Sequence, residues 1–460
     1  MTTPPDGLTL MRSRAYLVLL VLAVVLGVPV AVLAYGFLKL TSLAQQWTFT
    51  DLPRALGHST APMWWPLLPL AAAGILTALS IRLLPGSGGE SPAAGFHGLG
   101  VTPRGNLPGI FCAALASIGL GAVIGPEMPL IALGGGLSYL AVSLVRRDLP
   151  PQAGALISAT GSFAAISTLL GTPLAGAFLL LEASSVGGAL AIAVLLPGLL
   201  AAGIGSLVFT GLDSLTGFGT FSLTLPDLPA VGSPTLAEFG WAIAIGLVAA
   251  PLCIALRRGA ALLGGLVPAH RVLATTALGL VMAGLAIGYA AATGHAAADV
   301  LFSGQDQLPG LVADSARYSV GALLFLLLCK GLAYTAALSA FRGGPTFPVM
   351  YLGAAGGIAL SHLPGLAMVP GLAMGLGAMT AAMLRLPMTA VLLTTLLLGS
   401  DGFPVIPLTI VAVVVAYVAE IRLTPVAAPP PGGGDDGRHR VPEVPGPRAG
   451  AAPAEAERPA

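Results

Sequence analysis

One carboxylate stands out in this chain as the group best suited to do chemistry. Glu127 lies in the run Gly125-Pro126-Glu127-Met128-Pro129, in a chain that is 56% hydrophobic and 8% charged. A charge at the centre of a bilayer costs about 2.5–3.5 kcal/mol on insertion scales, so such residues are functional candidates by default. Glu127 is therefore predicted to compete for an anion site or to carry a proton, with a purely structural role as the alternative.

The Gly/Pro break around Glu127 occurs a second time. Gly344-Pro345-Thr346-Phe347-Pro348 repeats it in the second half of the chain, and Thr172–Gly176 recurs loosely as Leu386–Ala390. An interrupted backbone at membrane depth is tolerated where it lines a polar site. Matching breaks in two halves are typical of transporters built from repeats with broken helices. Pieces that begin at proline, Pro173–Glu182 and Pro387–Leu398, are predicted half-helices.

The composition predicts a polytopic, all-helical membrane protein. The mean hydropathy is +0.91, and soluble domains carry about 25% charged residues. The uncharged segment Ala15–Leu38 is long enough to span a bilayer. Arg12 and Arg14 precede it, which favours a cytoplasmic N-terminus. The formal net charge of +1 gives no reason to expect a nucleic-acid partner.

Changes in composition along the chain divide it into five segments. The connector and the tail are rich in proline and glycine, and the tail cannot bury enough apolar surface to order itself. The predicted segments are a cytoplasmic N-terminus (1–14), a first transmembrane repeat (15–210), a connector (211–238), a second transmembrane repeat (239–422) and a disordered tail (423–460).

Several predicted helix starts have the chemistry of an anion site. Helix N-termini direct unpaired N–H groups and a partial positive charge at whatever lies in front of them, so several such ends meeting in the membrane would bind an anion. Ser87, within Gly86-Ser87-Gly88-Gly89, adds a hydroxyl donor, although a helix cap or turn would explain it equally well. Core packing is the corresponding alternative for Thr346 and Phe347.

The remaining polar residues give weaker predictions. Glu182 follows an apolar run and is interpreted as a helix end, a salt-bridge partner or a proton station. Lys330 is predicted to pack or to extend its amine towards the membrane surface, and Asp299 to be solvated in a connector. The six histidines lack metal-ligand spacing, so no metal or cofactor is expected. Three cysteines are predicted to be buried small hydrophobes, namely Cys112, Cys253 and Cys329.

Taken in order, the motifs resemble the anion-site signatures of the CLC chloride channels and chloride/proton antiporters. The resemblance extends over about residues 15–422 and is specific as an ordered set. The motifs that carry it are Gly86-Ser87-Gly88, Gly125-x-Glu127-x-Pro129 followed by Gly134-Gly135, Pro173-Leu174-Ala175-Gly176 and Gly344-x-x-x-Pro348.

This resemblance implies two inverted repeats of tilted and re-entrant helices, in a homodimer of the plasma membrane with one pore in each subunit. The implied function is transmembrane chloride transport, as a voltage-gated channel or a proton-coupled antiporter, without enzymatic activity or a cofactor. Glu127 would be the gating carboxylate, and Glu182 would be a possible inner proton station. The implied anion-binding residues are Ser87, Gly88, Gly125, Met128, Thr346 and Phe347.

The chain departs from the family pattern at the site itself. Met128 replaces a usual glycine, Thr346 holds the usual aromatic position, and Ala183 stands where antiporters typically have an internal glutamate. No tyrosine lies near Val426, where the family has its central tyrosine. Pro126 replaces a usual basic residue, and it removes a backbone amide donor, as Pro345 does in the second half.

Three other functions compete with this interpretation. The nearest is a repeat-built carrier for another anion or a small organic acid. An intramembrane hydrolase would use Ser87 with His97, but the chain lacks a convincing third group or oxyanion pattern. A purely structural membrane scaffold would leave a lone glutamate at a repeated helix break unexplained.

Overall fold

The computed structural model describes residues 7–95, 100–146, 148–184, 188–217, 225, 228–229 and 231–425. These residues are predominantly helical, as the sequence predicts. The predicted disordered tail beyond Pro425, including Val426, and His97 of the alternative hydrolase pair lie outside the described residues.

Nine α-helices lie in the described part of the first half of the chain. Proline occupies the first turn of several of them, where its missing N–H costs nothing, and Ser13 caps the second. The helices are α1 (Gly7–Met11), α2 (Arg14–Gln46), α3 (Leu52–Ala55), α4 (Leu67–Leu83), α5 (Leu107–Gly119), α6 (Glu127–Val145), α7 (Pro151–Leu170), α8 (Pro173–Ser184) and α9 (Gly188–Thr216).

The described residues of the second half form eight more α-helices. A capping box between Thr235 and Glu238 begins the first of them. The helices are α10 (Leu236–Leu266), α11 (Arg271–Thr293), α12 (Leu308–Ala313), α13 (Val320–Ala340), α14 (Thr346–Leu360), α15 (Met368–Leu384), α16 (Pro387–Leu398) and α17 (Ile406–Leu423). Because α9 ends at Thr216 and α10 begins at Leu236, the break between them is shorter than the predicted connector.

Within the described residues, eight helices are long and apolar enough to cross a membrane. The half-helices predicted at Pro173 and Pro387 are α8 and α16, and both are shorter than a full span. Small residues let some neighbours approach closely. A Cβ at Gly353 or Gly375 would overlap the backbone of the other residue, so α14 and α15 meet backbone to backbone.

The two Gly/Pro breaks meet face to face. Gly125 N donates to Gly344 O over 2.8 Å, and Gly344 N donates to Gly125 O over 2.5 Å, as an isolated antiparallel bridge. The two glycines occupy equivalent positions in the repeated motif, so their reciprocal bonds relate the breaks by a local two-fold rotation. This is the geometry expected where inverted repeats meet.

Lys330 packs inside the protein, which is one of the two outcomes predicted for it, and does not reach the membrane surface. The side chain on α13 is fully buried, and its Nζ donates to the carbonyls of Asp299 and Leu301, both over 2.9 Å, with longer contacts to Val300 and Phe302. It also lies 4.4 Å from the ring centroid of Tyr351. Four consecutive backbone carbonyls thus accept hydrogen bonds from the buried ammonium.

Asp299 and Cys112 differ from their predictions. Asp299 is partly buried rather than solvated and accepts a hydrogen bond from Tyr318 Oη over 3.0 Å. Burial raises the pKa of this carboxyl, and the Tyr318 bond opposes the shift. Cys112 is exposed on α5, whereas Cys253 and Cys329 are buried as predicted.

A buried carboxylate near the C-terminal end of α17 links three helices. Glu420 on α17 is 0% exposed and forms ion pairs with Arg257 and Arg385. Arg257 also donates to the carbonyls of Ala382 and Met383 at the end of α15. This cluster joins α10, α15 and α17 and satisfies the charge of Glu420 locally.

Candidate anion site

Glu127 is the first residue of α6 and is 0% exposed. Its Oε1 accepts a hydrogen bond from Phe347 N over 3.0 Å, so the carboxylate from the first break occupies the amide of the second. Its Oε2 has no hydrogen-bond partner among the described residues, and no lysine or arginine among them forms an ion pair with it. The carboxylate is therefore held by neutral donors and by no cation among the described residues.

Two glycines form the walls of the pocket that holds this carboxylate. A Cβ at Gly344 would collide with Glu127 Oε2 and, less closely, with its Cδ at 2.6 Å. A Cβ at Gly125 would collide with the same carboxyl group. Only glycine at both positions lets the bridged strands of backbone lie flat against the acid.

The second break is held from behind by a tyrosine that the sequence did not reveal. Tyr334 on α13 is fully buried, and its Oη donates to Pro345 O over 2.7 Å. This bond fixes the corner from which α14 starts. Thr346 and Phe347 follow, 0% and 3% exposed, so the predicted amide-bearing residues lie at the Glu127 carboxylate, and the Thr346 hydroxyl has no partner among described residues.

Ser87 and Gly88 belong to a different part of the same region. Gly86, Ser87 and Gly88 have positive φ angles of 81°, 52° and 69°, a run that turns successive amides towards one side. Ser87 is exposed, and its hydroxyl makes no hydrogen bond to the described residues. Gly86 and Gly88 line a cavity of about 310 Å³ that also contacts Met128, so this loop and the residue after Glu127 share one space.

Arg342 is the basic residue among the described residues that line this cavity, and the sequence did not single it out. It is 8% exposed, and it lines the cavity beside Gly343. Nε donates to Ser87 O over 3.2 Å and Nη1 to Phe341 O over 3.3 Å. The criterion that singled out Glu127, a charge inside an apolar run, applies equally to this arginine just before the second break.

Glu182 makes contacts that explain its position without transport. Its carboxylate accepts from Met388 N over 2.9 Å, from Thr389 N over 2.8 Å and from Thr389 Oγ1 over 2.6 Å. It therefore satisfies the unpaired amides at the start of α16 from another helix. Its neighbour Ala183 lines the cavity, so adjacent residues of α8 face in different directions.

The known proteins most informative about this chain are ion transporters. A model of the family described as "Voltage gated chloride channel" matches residues 84–420. The protein named "Putative ion-transport protein YfeO" of Escherichia coli (strain SMS-3-5 / SECEC) is 28% identical over 358 residues, 77% of this chain and 81% of that protein. Its namesake in Salmonella paratyphi A is 29% identical over 76% of this chain and 82% of that protein.

Solved structures share the fold. A slow cyanobacterial Cl⁻/H⁺ antiporter superposes with a TM-score of 0.71 at 21% identity, over 88% of this chain and 94% of that one. A CLC-type fluoride/proton antiporter gives 0.64 at 18% identity, over 88% and 95% of the two chains. A eukaryotic CLC transporter gives 0.67 at 16% identity, over 90% and 73%.

The family match, the shared fold and the spans agree on a multi-pass membrane protein and support transmembrane anion transport, by a channel or an antiporter mechanism. Members of this family are transporters, which fits the prediction of a non-enzyme. The matched region contains both Gly/Pro breaks and all the residues of the candidate site. The chain belongs to the voltage-gated chloride channel family.

Proposed function

We propose that this protein transports chloride across the plasma membrane and that Glu127 is its protonation-dependent gate. The observation that carries the proposal is the hydrogen bond from Phe347 N to Glu127 Oε1 at 3.0 Å. An amide at a helix start is the group that would bind a transported anion. The carboxylate occupies that amide in place of an anion.

The gate follows from the charge of the carboxylate. Ionised Glu127 is attracted to the amides and positive helix ends at the two breaks and blocks them. Protonation removes that attraction, the side chain swings away, and an anion takes the vacated amides. Acidification therefore opens the path, and the absence of an ion-pair partner among the described residues leaves nothing else to hold the side chain in place.

The experiment is a reversal-potential measurement on the purified protein in liposomes. A chloride gradient is imposed first with equal pH and then with a pH gradient. We expect a zero-current voltage that follows the chloride gradient. A shift of that voltage with pH establishes proton coupling, and its absence establishes a channel. A zero-current voltage that ignores chloride contradicts the proposal, and repeating the measurement with fluoride and small organic acids identifies the alternative anion carrier.

Proton coupling, where present, is proposed to be weak or to follow a route different from the usual internal acid. Ala183 cannot bind a proton. Glu182 is engaged by three donors at the start of α16, so we propose that it serves as a helix cap in preference to a proton station. Water in the cavity beside Ala183 is the alternative route.

We also propose that the protein is a homodimer with a complete pathway in each subunit, as the family resemblance implies. The residues proposed to bind the anion all come from one chain. Cross-linking in mild detergent is expected to give a dimer, and a covalent heterodimer of wild-type and Glu127→Gln subunits is expected to give the two activities in equal parts. Recovery of monomer alone, or a single intermediate activity, contradicts this arrangement.

A further inference from the structure

The cavity between the Ser87 loop and α6 contains polar groups that the proposed gate does not use. Arg342 is more than nine-tenths buried, and its Nη2 has no hydrogen-bond partner among the described residues, since the bonds it makes leave from Nε and Nη1. Asn106 and Thr102 line the same cavity, and their side chains form no hydrogen bonds with the described residues. Three groups able to donate thus share one enclosed space.

The buried side of this cavity carries the positive charge of the Arg342 guanidinium. A guanidinium stays protonated in proteins, and the interior position of Arg342 strengthens its attraction for an anion relative to a surface site. Arg271 at the start of α11 is close enough for its charge to repel that of Arg342, so it adds to the positive potential. Glu90 also lines the cavity, but it is an exposed residue and makes no ion pair with Arg342.

We propose that this cavity is a second anion site, at which Arg342 selects planar monovalent oxyanions of the nitrate and small-carboxylate class. The guanidinium presents its donors in a rigid plane that matches two oxygens of such an anion, and a spherical halide uses that fork poorly. The Asn106 amide and the Thr102 hydroxyl are placed to serve the remaining oxygen. The site extends the substrate range of the proposed anion transport and rests on that function for its route across the membrane.

The fixed charge also offsets what the chain has lost elsewhere. Pro126 and Pro345 each remove an amide donor from the breaks. Arg342 sits two residues before Gly344, on the segment that leads into the second break, and replaces those neutral donors with a full charge. Its position is fixed by its bonds to the Ser87 and Phe341 carbonyls, so the site is organised before the anion arrives.

The test is equilibrium binding of sodium nitrate and of sodium chloride to the detergent-purified protein by titration calorimetry, with ionic strength held by sodium isethionate. We expect nitrate to bind the wild type about tenfold more tightly than chloride, as two charge-assisted hydrogen bonds would require. Arg342→Lys keeps the charge and loses the fork, so its nitrate affinity is expected to fall about tenfold while chloride affinity changes less than about threefold.

Two further variants distinguish a loss of the binding site from a loss of the fold. Thr102→Val leaves Arg342 and its structural bonds in place, and it is expected to weaken nitrate about threefold, the loss of one neutral hydrogen bond. Arg104→Lys changes an exposed arginine next to the cavity that does not line it and is expected to bind both anions as the wild type does. Monodisperse elution on gel filtration confirms the fold of each variant.

Equal affinity of the wild type for nitrate and chloride overturns the proposal, as does nitrate affinity unchanged in both Arg342→Lys and Thr102→Val. The proposed transport fails separately. Wild-type liposomes that pass no anion contradict the transport function while nitrate binding that depends on Arg342 still establishes the site. Liposomes that pass chloride, with nitrate binding insensitive to both variants, contradict the site alone.

Discussion

Glu127 and Glu420 are both completely buried carboxylates, yet their surroundings differ. Glu420 forms ion pairs with two arginines. If its carboxylate moved away, both arginines would lose their ion-pair partner. Glu127 accepts a hydrogen bond from the Phe347 amide and lies against two glycines, and it pairs with no cation among the described residues. Burial alone therefore does not identify a functional acid. An acid held by neutral donors can be replaced by a substrate anion, whereas an acid held by cations is part of the framework.

The largest effect is expected where this framework is broken. Glu420→Gln leaves Arg257 and Arg385 without their carboxylate. Because their side chains are 21% and 50% exposed, the expected loss is about 1.5–3 kcal/mol, the range for hydrogen bonds to charged groups. Glu127→Gln removes no ion pair and is expected to change the free energy of unfolding by less than about 1 kcal/mol. Reversible unfolding in mixed detergent micelles measures both. An equal loss of unfolding free energy in the two variants would contradict this difference between Glu420 and Glu127.

The second prediction concerns the pH dependence of flux. In wild-type liposomes, chloride flux is expected to rise as the pH falls, by up to about tenfold per unit while few Glu127 side chains are protonated. Glu127→Gln imitates the protonated form, so its flux should persist or rise, lose its pH dependence and carry no protons. Glu127→Asp, with a shorter reach, should be intermediate. Wild-type pH dependence in the Gln variant would reduce Glu127 to a structural acid.

A third prediction separates the carboxylate from the glycines that hold it. The three atoms nearest to a Cβ at Gly344 all belong to Glu127, so Gly344→Ala should expel the carboxylate and flatten the pH dependence as Glu127→Gln does. In a Glu127→Ala background the same change should add nothing, because the colliding group is gone. An equal effect of Gly344→Ala in both backgrounds would show that it acts on the backbone instead.

Gly343→Ala is the matched control for that experiment. Its Cβ would meet Gly125 O at 2.6 Å and the Ile124 side chain at 2.7 Å, so it presses on the bridge between the two breaks and not on the acid. We expect a loss of about 1–3 kcal/mol in the free energy of unfolding, typical of overpacking, with the pH dependence of the remaining flux retained. If the flux of the Gly343→Ala variant did not depend on pH, Gly343 and Gly344 would have the same role.

The smallest effect is expected at Glu182. Removing the charge that caps α16 in Glu182→Gln should cost about 1 kcal/mol of stability, the usual value for a helix cap. Any chloride-to-proton ratio of the wild type should survive, and Thr389→Val should reproduce the stability loss. A fixed ratio that disappears in Glu182→Gln, with stability intact, would make Glu182 the inner proton station.

The fold and the positions of the helix breaks were predictable from the sequence for a specific reason. Proline and glycine act on their own backbone, so the breaks before Glu127 and Thr346 and the half-helices at Pro173 and Pro387 are local properties. The family resemblance then supplied the pairing of the two halves.

Side-chain partners were not predictable, because they depend on residues distant in the chain. Nothing near Glu182 in the sequence indicates that it caps α16, and the carbonyls that surround Lys330 come from a connector that the sequence suggests is solvated. Arg342 was not predicted either. Its charge lies within an apolar stretch, but the residue stands before the glycine and proline of the repeated motif and is not part of it.

The ammonium of Lys330, surrounded by four consecutive carbonyls and a tyrosine ring, has a consequence for how this protein tolerates its environment. Backbone loops that converge their oxygens on one point commonly recruit a metal ion from solution, and their order then varies with its concentration. Here the cation is part of the polypeptide. Its local concentration is set by the chain, so the loop of residues 299–302 needs no ion from solution to balance its converging carbonyls.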